Sequence, residues 1–202
     1  MMRIIAGSKR GMHLFSPKTR DSRPITDRVK QALFDVLCNY GLPEGQRVTD
    51  LFCGVGSLGL EALSRGAEFV TFVEQDPKII AVLERNIGKA EFVKQSKVIR
   101  ANAFKIGAPV EKKFEIRNLK IEISRYGLIF VDPPYAFTQN VHAGSPLSRL
   151  MDILQEQVTP DAIVVVRTNR RTFLLERYGA FQLLERREWG TMAVTLLQMT
   201  GR

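Results

Sequence analysis

The fold is decided by residues 47–59, which read RVTDLFCGVGSLG in one-letter code. Residues 47–53 are rich in apolar and β-branched side chains and predict a strand, and residues 57–65 predict a helix directly after it. Between these elements, Gly54, Gly56 and Gly59 satisfy the pattern G-x-G-x-x-G. Glycines at this spacing let the backbone turn tightly and approach a ligand. The stretch therefore predicts a strand, a ligand-binding loop and a helix.

The same alternation continues along the chain and predicts a parallel sheet with helices on both faces. The end of the chain breaks the alternation, because two strands are joined there by only Trp189-Gly190-Thr191 and must form a hairpin. Residues 107–125 carry mixed charge and are interpreted as an insertion. The predicted strands are 47–53, 69–74, 97–101, 127–131, 162–167, 181–188 and 192–199, and the predicted helices are 57–65, 77–89 and 147–157.

A separate unit of structure is predicted ahead of the first sheet strand. Residues 3–7 and 12–15 read as short strands of a hairpin. Thr26 is a good N-cap for a helix, which Gly41 and Pro43 would end. The apolar face of that helix is predicted to comprise Val29, Ala32, Leu33, Val36, Leu37 and Tyr40.

The composition is that of an ordinary globular protein of 202 residues with a strong positive charge. No apolar run approaches the ~20 residues of a membrane helix, and the N-terminus lacks the pattern of a signal peptide. Cys38 and Cys53 form no disulfide or metal framework, so we expect a cytoplasmic protein. Residues 1–30 account for +6 of the net charge of +9. This basic arm suggests a polyanionic partner, although a merely solvated arm is the alternative.

An acidic residue in each of the first two strands bears on the identity of the ligand. Glu74 lies 20 residues after Gly54, where a carboxylate can hold ribose hydroxyls, and a nicotinamide dehydrogenase is compatible with that pattern. Asp50 precedes the first glycine, where a dinucleotide site more often stays apolar. S-adenosylmethionine carries an amine and a sulfonium but no pyrophosphate, so a carboxylate suits it. The terminal hairpin also departs from the usual dehydrogenase sheet.

The strand 127–131 runs directly into Asp132-Pro133-Pro134-Tyr135, one form of the Asp/Asn/Ser-Pro-Pro-aromatic motif of amine methyltransferases. An exocyclic base amine is a poor nucleophile, and two acceptors can hold its two N–H groups. Asp132 supplies a carboxylate and Pro133 a backbone carbonyl, within a loop that the prolines stiffen. Tyr135 can stack on the base. The alternative is a strand that is simply stopped by a rigid turn.

Taken together, these blocks resemble the RsmD family of bacterial 16S rRNA guanine-N2 methyltransferases. The resemblance implies a class I methyltransferase sheet of strand order 3-2-1-4-5-7-6 with strand seven antiparallel, preceded by an N-terminal β-hairpin and helix. It implies S-adenosylmethionine as the cofactor and 16S rRNA as the partner, within the small subunit or an assembly intermediate. The four blocks are RIIAG…RG from residue 3, RPITDRVKQALF from residue 23, residues 50–67 and residues 132–135.

On this basis we predict the site residues and the division of the chain. Residues 1–45 are predicted to form an RNA-binding extension and residues 46–202 the methyltransferase domain of a monomer. The predicted catalytic residues are Asp132, Pro133 and Tyr135, and the nucleic-acid-binding residues are Lys9, Arg10, Arg23 and Arg28. The predicted cofactor site comprises Asp50, Phe52, Gly54, Gly56, Leu58, Glu74, Gln75, Asn102, Ala103 and Thr26.

Some residues depart from the family's pattern, and other functions stay open. Asn102 stands where similar proteins usually place an acid that contacts the cofactor's adenine amine, and Trp189-Gly190-Thr191 replaces a common aromatic-Gly-Asp sequence. His13 and His142 are isolated, so no metal is predicted. An adenine-N6 methyltransferase shares the same motif. A nicotinamide oxidoreductase and a non-catalytic RNA-binding assembly factor are the alternatives from other classes.

Overall fold

The computed structural model describes residues 2–17, 25–115 and 120–201. Its helices are α1 (Asp27–Cys38), α2 (Ser57–Ser64), α3 (Pro77–Ala90), α4 (Ala103–Ile106) and α5 (Pro146–Leu154). Its strands are β1 (Arg47–Leu51), β2 (Phe69–Glu74), β3 (Ser96–Arg100), β4 (Glu111–Glu115), β5 (Lys120–Ser124), β6 (Tyr126–Val131), β7 (Val158–Asn169), β8 (Arg177–Tyr178), β9 (Phe181–Trp189) and β10 (Met192–Met199). Most boundaries lie within three residues of the predicted ones; β7 begins four residues earlier.

Within the described ranges, one large sheet has the strand order β3-β2-β1-β6-β7-β10-β9-β8. The first five strands pair in parallel, and β10 runs antiparallel to both β7 and β9. The predicted fold class and the predicted order of seven strands are therefore confirmed. The detail that differs is β8, a strand of two residues added beside β9 at the edge.

The central strands are buried on both faces, and their side chains alternate between two apolar cores. Phe130 packs in one core with Phe72 and Phe34, whereas Ile129 packs in the other with Leu51 and Leu150. Covering both faces with apolar side chains is typical of parallel sheets. Because β1, β2, β6 and β7 are parallel neighbours or next neighbours, their carboxyl ends meet at one edge, where open α/β sheets bind ligands.

The N-terminal hairpin is reduced from two predicted strands to one antiparallel bridge between Arg3 and His13. The ladder stops because the chain turns directly after it: the Gly11 amide donates to the Ile4 carbonyl at 2.8 Å and the Met12 amide to the Lys9 carbonyl at 3.1 Å. The amides of Ile5 and Ala6 donate to the buried Glu61 carboxylate at 2.8 and 3.0 Å. Gly7 lies so close to α2 that an added Cβ would overlap the Ser64 carbonyl. This segment packs on the sheet's own core rather than standing apart from it.

The helix α1 begins after the predicted N-cap, since the Thr26 side chain accepts a hydrogen bond from the Val29 amide. Its buried face differs from the predicted one, because Lys30 and Phe34 are also buried, whereas Ala32 and Val36 are only half-buried. Tyr40 lies beyond the helix and is exposed, because the helix ends at Cys38. Lys30 is fully buried, and its Nζ donates to the Arg3 carbonyl at 2.6 Å and lies 3.4 Å from Glu61. The charge of Lys30 is tolerated inside because these acceptors surround it.

The region interpreted as an insertion contains regular structure that the sequence did not indicate. Strands β4 and β5 pair in antiparallel fashion as a separate two-stranded sheet. The short helix α4 precedes them. Among the helices of the described ranges, none is long and apolar enough to cross a membrane.

Candidate active site

A cleft of about 810 Å³ opens at the carboxyl ends of the parallel strands. This volume is within the usual range of small-molecule sites. The predicted residues that line it are Asp50, Phe52, Gly54, Leu58, Glu74, Gln75, Asn102, Ala103, Asp132, Pro133 and Tyr135. Two predicted cofactor residues, Gly56 and Thr26, do not line it. The catalytic and cofactor-binding residues were predicted from separate motifs, and the fold brings them to one cavity.

The three glycines of the loop between β1 and α2 have different surroundings. An added Cβ at Gly54 would meet nothing within 4 Å, and its φ of +54° is in the left-handed region. At Gly59, by contrast, a Cβ would lie 2.3 Å from the Phe72 ring, and at Gly56 one would lie 2.5 Å from Leu83. Gly54 therefore leaves room for a ligand beside the backbone, whereas Gly56 and Gly59 allow α2 to pack closely.

Asp50 lies at the floor of the cleft and is almost completely buried. One of its carboxylate oxygens accepts a hydrogen bond of 2.8 Å from the Gly59 amide. Burial raises the pKa of Asp50 to about 8, and the negative charges of Asp132 and Glu74 act in the same direction. A cationic ligand in the cleft would stabilise the ionised form of Asp50, because it would offset this burial.

Glu74 ends β2 and is held by backbone amides. Its carboxylate accepts hydrogen bonds from Gly54 at 3.1 Å, Gln75 at 2.8 Å and Asp76 at 3.0 Å. These bonds fix the carboxylate beside the glycine loop, with lone pairs left for hydroxyl donors. Asn102 also lines the cleft, and its carbonyl oxygen caps α4 by accepting from the Phe104 amide at 3.0 Å.

The Asp132 carboxylate is paired with Arg167, which follows the apolar part of the neighbouring strand β7. Arg167 Nε donates to Asp132 Oδ1 at 2.6 Å, and both side chains are mostly buried. Burial raises the pKa of Asp132, while Arg167 acts against that rise. The second oxygen, Oδ2, accepts no hydrogen bond from the described residues. Asp132 therefore presents one oriented oxygen to the cleft.

The residues after Asp132 form a stiff turn rather than an open loop. The Phe137 amide donates to the Pro134 carbonyl at 2.9 Å, and the Thr138 hydroxyl donates to the Tyr135 carbonyl at 3.1 Å. The Pro133 carbonyl accepts no hydrogen bond from the part of the chain that is described. It is thus available as a second acceptor near Asp132.

Three aromatic rings form a contiguous rim that sequence reasoning found only in part. Phe104 lies between Phe52, at 4.7 Å between ring centroids, and Phe137, at 5.2 Å. Phe52 has a φ of +59°, a conformation that costs about 1–3 kcal/mol for a side chain of this kind. The sequence predicted Phe52 alone, because Phe104 and Phe137 lie in short elements without a recognisable motif.

The predicted RNA-binding residues are placed unequally. Lys9 forms an ion pair with Glu91 and its ammonium lies over the Phe92 ring. Arg10 and Arg28 are exposed, and neither has an ion pair with a described residue. Arg23 lies outside the described residues. Within the described ranges, no group of three or more His, Cys, Asp or Glu residues could hold a metal ion.

Similarity to known proteins identifies the family. A family model described as "Conserved hypothetical protein 95" matches residues 2–198. The ribosomal RNA small subunit methyltransferase D of Haemophilus influenzae is 30% identical, over 98% of this chain and 93% of that protein. The YlbH protein of Bacillus subtilis is 32% identical, over 99% of this chain and 100% of its own length. The chain belongs to the RsmD family.

Membership of the RsmD family confirms the resemblance drawn from the four sequence blocks. The matched region includes the final hairpin, although Trp189-Gly190-Thr191 between its strands departs from the common aromatic-Gly-Asp sequence. The fold agrees as well: the yhhF protein of Escherichia coli superposes with a TM-score of 0.78 at 27% identity, covering 100% of this chain and 99% of that one. The architecture of this RsmD-family protein is the class I methyltransferase fold.

Proposed function

We propose that this protein transfers a methyl group from S-adenosylmethionine to the exocyclic N2 amine of a guanine in 16S rRNA. The observation that carries the proposal is the placement of Asp132, Pro133 and Tyr135 in the same cleft as the glycine loop and Glu74. The cleft fits the cofactor, since Gly54 leaves open space and carboxylates at Asp50 and Glu74 suit a cation that carries ribose hydroxyls. S-adenosylmethionine supplies an electrophilic methyl group on a sulfonium.

The chain's own residues orient the amine that receives this methyl group. Asp132 Oδ2 accepts one N–H of the amine, and the Pro133 carbonyl accepts the other. Arg167 favours the ionised form of the Asp132 carboxylate and fixes its orientation through the hydrogen bond at Oδ1. Tyr135 stacks on the plane of the base. Most of the expected acceleration comes from holding the nitrogen in line with the methyl group. Transfer would release S-adenosylhomocysteine and leave a positively charged nitrogen, which would become neutral by giving the proton held at Asp132 Oδ2 to that carboxylate and then to water.

Relatives that are named ribosomal RNA small subunit methyltransferases support the choice of ribosomal RNA, and the choice of guanine is tested on the RNA itself. The experiment is mass mapping of modified nucleotides in 16S rRNA from cells with and without this protein, followed by methylation of purified small subunits. A methylguanine that disappears with the protein and is restored by it supports the proposal. A methyladenine that behaves in this way would favour the adenine-N6 alternative, which the same motif permits.

The remaining parts of the proposal concern context. We propose that the protein acts as a monomer in the cytoplasm, on the small subunit or an assembly intermediate, and that residues 1–45 contribute to RNA binding. The exposed Arg10 and Arg28 support the last point, since both lie in that region and face solvent.

Replacing Glu74 by alanine is expected to weaken binding of the cofactor. The carboxylate is fixed beside the glycine loop, and the loss of hydrogen bonds to a charged group costs roughly 1–3 kcal/mol. Calorimetric titration of the variant with S-adenosylmethionine and with S-adenosylhomocysteine measures the effect. Glu68→Ala serves as a control, because Glu68 is exposed and does not line the cleft. An affinity equal to that of the parent protein would show that Glu74 does not hold the ribose.

Removing Arg10 or Arg28 is expected to make RNA binding less dependent on salt. The slope of log affinity against log salt is negative, and each phosphate that is no longer neutralised reduces its magnitude by ~0.7–0.9. Lys9→Ala should change the slope less, since Lys9 is already paired with Glu91. Titrations at several salt concentrations give the three slopes. If the slopes for Arg10→Ala and Arg28→Ala equal that of the parent, the arm is a solvated surface.

A further inference from the structure

The connection between β7 and β8 begins beside the cleft and carries an exposed aromatic ring. Arg167 and Asn169, at the end of β7, line the cleft, and the connection begins directly after them. Phe173 in this connection has 66% of its surface exposed. A ring with this exposure gains little from apolar burial, so its own packing does not explain it.

The Phe173 ring is nevertheless held in place from one side. The Arg186 guanidinium lies over it, 4.4 Å from the ring centroid. Arg186 is itself fixed, because it donates to the Arg170 carbonyl at 2.7 Å and forms an ion pair with Glu188. Only 17% of the Arg186 side chain is exposed. One face of the ring therefore rests on an anchored cation, and the other face is open.

Two further cations flank this ring. Arg170 and Arg171 are both exposed, and Arg171 has no ion pair with a described residue. Arg170 approaches Glu188 only at 4.0 Å. An open aromatic face beside exposed guanidinium groups is the combination that binds single-stranded nucleic acid, by stacking a base and neutralising phosphates. We call Phe173, Arg186, Arg170 and Arg171 the stacking platform.

We propose that the stacking platform binds the single-stranded RNA next to the target nucleotide, with one base on the open face of Phe173. The proposal rests on the proposed function in taking RNA as the substrate. Its location supports it, because the connection leaves the cleft at Arg167 and Asn169, beside the catalytic Asp132. Stacking tolerates any base, so the platform contributes affinity rather than sequence selection.

The test measures binding of a fluorescently labelled single-stranded RNA of about twelve nucleotides, which spans one typical site. Phe173→Ala is expected to weaken binding roughly five- to hundredfold, as the loss of one stacked base predicts. Phe173→Tyr should stay near the parent, since a ring remains. Tyr40→Ala is the matched control, because Tyr40 is an exposed aromatic that contacts Glu185, on the opposite face of β9 from Arg186.

A polyanion that lacks bases distinguishes the contribution of base stacking to RNA affinity from the contribution of the positive charges. Inorganic polyphosphate should bind Phe173→Ala as well as it binds the parent, whereas replacing both Arg170 and Arg171 by alanine should weaken both ligands. Calorimetry with S-adenosylmethionine shows that each variant keeps its cleft. Unchanged RNA affinity in Phe173→Ala overturns the proposal, whatever the double arginine variant does and even if subunits are methylated normally. Phe173-dependent RNA binding by a protein that methylates no RNA would support the platform and reject the proposed function.

Discussion

Replacing Asp132 by alanine is expected to lower the rate of methyl transfer by roughly 10²–10³, the usual effect of removing one oriented polar partner from a transition state. Asp132 Oδ2 is free to accept a hydrogen bond, and Arg167 fixes the carboxylate through Oδ1. The substitution lies beyond the end of β6, so the core and the glycine loop should stand. Single-turnover methylation of small subunits measures the rate, and cofactor titration verifies the cleft.

The control for this prediction is the ranking of methyl-transfer rates among three variants of the motif. Tyr135→Ala should be less harmful than Asp132→Ala because it removes a stacking surface rather than an acceptor of the amine. Tyr135→Phe should be the mildest, since the ring face remains. A folded Asp132→Ala variant that methylates subunits at the parental rate would contradict the amine-methylation interpretation of the motif. The turn of prolines would then serve only to end β6.

The sheet could be predicted from the sequence because its signals are local. Each central strand is a short apolar run bounded by a turn or a helix start, and the order of the elements restricts the topology to few choices. The position of the cleft could be predicted in the same way, since Glu74 and Asp132 both come at the carboxyl ends of parallel strands. Even the antiparallel hairpin was predictable, because the link between β9 and β10 is too short for a crossover.

Contacts between distant segments could not be predicted in this way. Lys30 occupies the position of a polar residue on a helix, and only the fold shows that Arg3, Ser57 and Glu61 surround it. Its burial lowers the pKa of the Lys30 ammonium, although Glu61 acts in the opposite direction. The N-terminal hairpin was overestimated for the same reason, since the amides of Ile5 and Ala6 donate to the distant Glu61 carboxylate rather than to a strand.

Individual roles within a motif also depend on neighbours that the motif does not contain. The pattern of three glycines predicts a tight loop, but it does not show which glycine adjoins open space. In the fold, the Phe72 ring leaves no room for a side chain at position 59, and Leu83 leaves none at position 56. Gly54 alone of the three adjoins open space, where a ligand fits. The sequence did contain a signal for Arg167 as a site residue, because it is the first charged residue after the apolar run 162–166. Its partner became evident only from the register that aligns Val131 with Val166.

Replacing Arg167 by glutamine is expected to lower the rate constant roughly tenfold to hundredfold and to shift its dependence on pH. The rate effect corresponds to about 1.5–3 kcal/mol for a hydrogen bond between charged groups. Burial raises the pKa of Asp132 and Arg167 opposes that rise. Without the guanidinium the pKa rises further, so Asp132 takes up its proton at a higher pH. Activity needs the ionised carboxylate, and the acidic limb of the rate profile therefore moves to higher pH.

Arg167→Lys is the matched variant for this shift, because it keeps the positive charge but loses the geometry of the guanidinium. Its acidic limb should stay closer to that of the parent, even if its rate falls. Burial raises the pKa of Asp50 to about 8 and Arg167 lowers it, so the profiles are compared with the cleft saturated by the cationic cofactor, which favours ionised Asp50 in every variant. A merely structural role would lower the rate or the stability of both variants and leave the acidic limb in place. Profiles of Arg167→Gln and the parent that coincide on their acidic limb would show that Arg167 does not set the ionisation of Asp132.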